Sequence, residues 1–124
     1  MSTKQFRVMV IDDSKTIRTT TEAFVRELGH EVMCGTDGMN GISHMMSFEP
    51  DILFIDLEMP RMNGIETAKL IRANSKFKNT PIVMLSSKDG MFDVAMATEA
   101  GASSYIVKPP MKEAIADAIA KHLG

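Results

Sequence analysis

Phe6-Arg7-Val8-Met9-Val10-Ile11-Asp12-Asp13 is an apolar run closed by two carboxylates, and Ile52-Leu53-Phe54-Ile55-Asp56 repeats the pattern. Short runs of large aliphatic residues read as strands buried on both faces of a parallel sheet. In such sheets the ligand crevice lies beyond the carboxyl ends of the strands. Asp12, Asp13 and Asp56 are therefore expected to converge on one pocket. Three carboxylates so placed repel each other unless a cation joins them, and oxygen-only ligands favour a hard cation such as Mg²⁺. Asp12 alone also reads as an N-cap for the helix that follows, although Ser14 is the better cap.

Strand and helix signals alternate along the rest of the chain. The first strand spans about 6–12. A helix follows from Ser14 to Leu28, with Ile17, Thr21, Phe24, Val25 and Leu28 near one face and Gly29 as its stop. A short strand over 31–35 leads into Asp37-Gly38, and a second helix runs to Phe48. Pro50-Asp51 opens the third strand, which ends at Asp56. Pro60 to Gly64 is a loop, with a third helix from Ile65 to Ala73. Pro81 to Ser86 is the fourth strand. A helix over 90–100 stops at Gly101, Ser104 to Val107 is the fifth strand, and the last helix covers 111–123. This alternation predicts a doubly wound α/β fold with right-handed crossovers. No internal repeat or linker interrupts it.

Composition narrows the function. The 124 residues suit one domain able to bury a core without staples. Net charge is −2 with no basic cluster, which disfavours nucleic acid as a partner. Cys34 is the single cysteine, so no internal disulfide can form, and a reducing cytoplasm fits. The N-terminus lacks the apolar core of a signal peptide, and no apolar stretch approaches a membrane span. The twelve methionines read as pliable core filler, exposed ones as an adaptable binding face.

Ser86 ends the fourth strand and Lys108 follows the fifth, so both reach the rim where the acids lie. A hydroxyl and an ammonium beside carboxylates suit a transferred phosphoryl group, whose oxygens carry the transition-state charge. Each has a plainer reading, Ser86 as a helix N-cap and Lys108 as a surface lysine. Glu58, two residues beyond Asp56, can turn its main-chain carbonyl toward a cation. Lys108-Pro109 is a candidate cis bond. Glu58 and Lys88 are placed to form an ion pair over the mouth of the site.

Ile11-Asp12-Asp13-Ser14, Asp56-Leu57-Glu58-Met59-Pro60 with Asn63-Gly64, Leu85-Ser86-Ser87-Lys88-Asp89, Gly101-Ala102 and Tyr105-Ile106-Val107-Lys108-Pro109 occur in order. On these pieces the chain resembles the receiver domain of bacterial two-component response regulators over residues 6–122. Within that family it is similar to the stand-alone regulators of type IV pilus twitching motility. The resemblance implies a flavodoxin-like sheet of order 2-1-3-4-5 and a single receiver domain over 1–124 with no output domain. Asp56 would accept a phosphoryl group from a histidine kinase or phosphotransfer protein. Asp12, Asp13 and Asp56 would hold Mg²⁺ with the Glu58 carbonyl. Ser86 and Lys108 would bind the phosphoryl group, and the N–H groups of Leu57 and Ser87 would complete its cradle. Tyr105 would turn inward as Ser86 moves, altering the face of the fourth helix, fifth strand and last helix. That face would bind a downstream protein.

The expected protein is a cytoplasmic monomer with no membrane insertion, and an enzyme only toward its own phosphorylation and dephosphorylation. Met91, Phe92, Met96 and Tyr105 are candidates for the output face, with core packing as the alternative for each. Pro110 departs from the family pattern, where a bulky residue is more usual, and stiffens the approach to the last helix. Two competing readings stand beside this one. A haloacid-dehalogenase-type phosphotransferase also uses an aspartyl phosphate, but places its two acids two residues apart, where this chain has Asp12 and Ser14. A degenerate receiver that only binds partners is the other, although Asp12, Asp13, Asp56, Ser86 and Lys108 are all present.

Overall fold

A computed structural model describes residues 4–87 and 91–124, the side chains of 91–94 excepted. Five strands, β1 (Arg7–Ile11), β2 (Glu31–Gly35), β3 (Ile52–Asp56), β4 (Ile82–Ser86) and β5 (Ser104–Val107), form one parallel sheet of order β2-β1-β3-β4-β5. The helices are α1 (Lys15–Glu27), α2 (Gly38–Phe48), α3 (Gly64–Ala73), α4 (Met91–Glu99) and α5 (Lys112–Leu123). The flavodoxin-like order and the alternation agree with the sequence reading.

The period of two along each strand decides which helices cover which face. Met9, Ile11, Leu53, Ile55, Ile82 and Met84 pack with Met45 of α2, Ala68 and Ile71 of α3, and Ala97 of α4. Val8, Val10, Ile52, Phe54, Val83 and Leu85 pack with Val25 of α1 and Ile115 of α5. Both faces are apolar because both are covered, which is why β1, β3 and β4 read as unbroken hydrophobic runs. No helix among the described residues is long and apolar enough to cross a membrane.

Helix starts are fixed locally. Ser14 caps α1, accepting from the Ile17 N–H at 3.3 Å, and Asp37 caps α2, accepting from Asn40 at 2.8 Å. Asn63 and Glu66 form a reciprocal capping box at α3, with both bonds at 2.9 Å. Gly29 and Gly101 take φ of +92° and +112° after α1 and α4, a region that suits glycine. A 3-10 turn at Ser75–Phe77, before β4, has no counterpart in the sequence reading.

The chain leaves β1 to one side for β2 and later returns to its other side for β3. A crevice opens at that reversal, beyond the carboxyl ends of β1 and β3.

Candidate functional site

Register brings the chemical groups together at this crevice. Ile11 pairs with Ile55, so Asp12 leaves β1 beside the end of β3. Asp56 pairs with Leu85 and Ser86 with Val107, so Ser86 closes β4 and Lys108 leaves β5 at the same rim. The Lys108 N–H continues the ladder to the Ser86 carbonyl at 2.7 Å. Asp12, Asp56 and Ser86 are buried, and Asp13 is exposed.

Asp56 Oδ1 accepts from Lys108 Nζ at 2.8 Å and from the Glu58 N–H at 3.1 Å. Asp12 Oδ1 accepts from the Ser14 N–H at 2.8 Å. The second oxygens, Asp12 Oδ2 and Asp56 Oδ2, are buried without a hydrogen-bond partner. Such orphaned acceptors are rare in a folded protein and call for a partner. Carboxylate oxygens of Asp12, Asp13 and Asp56 lie within 4.8 Å of one another. Two orphaned oxygens and a third, solvent-accessible carboxylate make an all-oxygen donor set that fits a hard divalent cation.

The electrostatics agree. Burial pushes the Asp56 carboxyl up to about 6, with Asp12 adding to the rise and the Lys108 hydrogen bond opposing it. Burial also raises Asp12, against the Ser14 N–H bond. Burial works against the charge of Lys108. Its hydrogen bond to Asp56, with the charges of Asp56, Asp12 and Glu58, outweighs that and holds the ammonium above its ordinary value. One ammonium therefore does not offset two buried carboxylates, and positive charge is missing from the site.

One expectation changes at this level, and several other residues find their places. The Leu57 N–H does not face the site. It extends the β3–β4 ladder to the Leu85 carbonyl at 2.9 Å, and the donor at the carboxylate is Glu58, one residue on. Tyr105 is half exposed on β5, and the inward turn expected of it belongs to the phosphorylated state. Ser87 follows β4 at the rim, half-buried. The Lys108–Pro109 bond is cis. Pro110 is buried ahead of α5, whose N-cap, Met111, makes no side-chain cap. Asp12 does not cap α1; that role is Ser14's. Met96 is exposed. Lys88 and the side chains of Met91 and Phe92 lie outside the described residues, and the pairing expected of Glu58 and Lys88 lies there with them.

Two residues shape the site in ways the sequence reading did not draw out: Gly64, quoted there only within a motif, and Arg18. A Cβ on Gly64 would lie 2.5 Å from the Asp56 carbonyl oxygen and 2.8 Å from Leu57 Cα, so α3 can start against the Asp56 main chain only with glycine there. Arg18 of α1 donates from Nη1 to the Asp12 carbonyl at 2.8 Å. The Asn63…Glu66 spacing is a capping-box signature that could have marked the start of α3 at Gly64; no spacing signals the reach of Arg18.

Comparison with known proteins gives a consistent picture. The family described as response regulator receiver domain matches residues 8–120. Protein PilG of Pseudomonas aeruginosa is 45% identical over 117 residues, covering 94% of this chain and 87% of PilG. The DNA-binding response regulator MtrA of Mycobacterium tuberculosis is 34% identical over 109 residues, covering 88% of this chain but 46% of MtrA. The chemotaxis protein CheY4 of Vibrio cholerae superposes with a TM-score of 0.92 at 28% identity, covering 97% of this chain and all of CheY4. With the doubly wound sheet and the acid cluster at its switch point, these matches place the chain in the response regulator receiver domain family of two-component signalling.

Proposed function

We propose that this chain is a switch set by phosphorylation of Asp56. The observation that carries the reading is buried Asp56 paired at 2.8 Å with half-buried Lys108, beside two carboxylate oxygens with no partner. Asp12, Asp13 and Asp56, with the Glu58 main-chain carbonyl, would hold Mg²⁺. Bound there, Mg²⁺ would supply the positive charge that the phosphoryl oxygens need.

Asp56 would act as nucleophile toward a phosphohistidine of a histidine kinase or phosphotransfer protein. The carboxylate O–P bond forms, the histidine N–P bond breaks, and the released imidazole takes a proton from solvent. Lys108 would pair with the transferred group and the Ser86 hydroxyl would hydrogen-bond it. The Glu58 N–H, already at the carboxylate, is a nearer main-chain donor than Leu57; Ser87 would supply the other. Hydrolysis of the acyl phosphate would reset the switch, so the chain catalyses only its own phosphorylation and dephosphorylation. The added dianion would draw Ser86 and Lys108 inward and, through Tyr105, bias the α4-β5-α5 face toward a downstream protein. By the family resemblance the chain would be a cytoplasmic, monomeric regulator, and with its likeness to PilG it would serve type IV pilus or chemotaxis-like control.

Intact mass tests this. Incubation with Mg²⁺ and a small acyl phosphate should add one phosphoryl mass, lost without Mg²⁺ and lost in Asp56→Asn. No adduct, together with no stable beryllofluoride complex, would leave a module that binds partners without phosphorylation.

A further inference from the structure

We infer that Arg18 is a positioning residue for the cation site, acting through the main chain of Asp12. The inference rests on the proposed binding of Mg²⁺ by Asp12, Asp13 and Asp56. Asp12 is held at three atoms. Its N–H donates to the Gly35 carbonyl at 3.1 Å, its carbonyl accepts from Arg18 Nη1 at 2.8 Å, and its Oδ1 accepts from the Ser14 N–H at 2.8 Å. Only Oδ2 is left, buried and without a partner. The first bond belongs to the sheet and the third to the turn into α1. The Arg18 bond is the one made by a side chain, and it reaches back six residues from within α1.

Its placement runs against local preference. Arg18 sits near the N-terminus of α1, where Lys15 is the other nearby base and no acid lies in the first turn. A cation there opposes the helix dipole. The half-buried guanidinium instead meets a carbonyl whose residue carries one of the orphaned oxygens. Groups that orient a ligand from outside the coordination sphere set metal affinity through geometry.

Charge and geometry predict opposite signs, which makes the idea testable. Removing a nearby positive charge should tighten binding of a cation. Removing a positioning bond should weaken it. Mg²⁺ affinity is measured by isothermal titration on wild type, Arg18→Met and Arg18→Lys, with thermal melts to confirm folding. Arg18→Met is expected to bind about tenfold more weakly, within the range seen for outer-shell partners of metal ligands. Arg18→Lys, which keeps one donor, should recover part of that loss. Equal or tighter binding by a folded Arg18→Met overturns the inference, as does Arg18→Lys binding no better than Arg18→Met. Should Arg18→Met fail to fold, Arg18→Gln takes its place: weaker binding than wild type supports positioning, and equal or tighter binding overturns it. Wild type that takes up no Mg²⁺ removes the proposed cation site and this inference together, whereas normal wild-type uptake with unchanged variants removes Arg18 alone.

Discussion

β3 and β5 end at the same rim, one strand apart, yet they are built to opposite specifications. Every residue of β3 is buried, Asp56 included, and the strand has neighbours on both sides. β5 is an edge strand that alternates, with Ser104 and Ile106 half-buried and Tyr105 and Val107 exposed at 50% and 46%. The nucleophile proposed for the switch thus stands on the least yielding part of the sheet. The proposed reporter stands where few contacts restrain it. Rigidity at the acids keeps the donor geometry; looseness at the edge lets a small event there change the surface.

Truncating one large side chain in the centre gives the sharpest way to break this contrast. Phe54 has no exposed surface and packs on the α1 and α5 side of the core. Phe54→Ala should cost about 3–5 kcal/mol in urea unfolding, from lost transfer energy and the cavity left behind. A loss near the value for a surface substitution would mean the centre of the sheet can collapse around a void, and the contrast would fail.

The acids give the next largest effect. In the folded protein Asp56 titrates at about 6, against an ordinary 3.8. A carboxyl whose folded value is raised contributes stability that is fully present below the unfolded value and is lost as pH rises through the folded one. In metal-free buffer, wild type should therefore weaken between about pH 4 and 6, by about 3 kcal/mol for Asp56 alone. Asp12 is raised for the same reason and acts with the same sign. Asp56→Asn, which cannot ionise, should flatten most of that slope and be the more stable protein at neutral pH. Urea midpoints at the two ends of the window check this, read as the difference between wild type and Asp56→Asn because burial lowers His30 and His122 and gives them the opposite sign; no difference between the two proteins would show that burial of Asp56 carries no penalty.

The two regions also differ in how far sequence alone revealed them. β1, β3 and β4 were legible because burial on both faces leaves no polar interruption, and a carboxylate closing such a run marks its rim. Asp12, Asp56, Ser86 and Lys108 were thereby located by strand ends alone. β5 was legible in its bounds, but an alternating edge strand does not declare which way Tyr105 turns. What escaped notice depends on main-chain geometry. Whether the Leu57 or the Glu58 N–H meets Asp56 follows from how far the β3–β4 ladder extends, and that is not written in either side chain. The contact of Gly64 with the Asp56 backbone and the reach of Arg18 to the Asp12 carbonyl are long-range or backbone facts of the same kind.

The smallest expected effect tests the edge. Tyr105 lines a shallow groove with Ala114, Asp117 and Lys121 of α5, and half of its surface is open. Tyr105→Ala should change unfolding stability by no more than about 0.5 kcal/mol, as surface substitutions do. The rate of phosphoryl uptake at Asp56 should also stay at the wild-type value, because Tyr105 pairs with Met84, two residues short of the Ser86 and Val107 pair at the rim. Together with the large cost of Phe54→Ala, that near-silence is what an output residue requires: a side chain free to change partners without disturbing the fold that carries the chemistry. A loss of several kcal/mol would instead mean that Tyr105 is packed in solution, and β5 would then belong to the core as fully as β3 does.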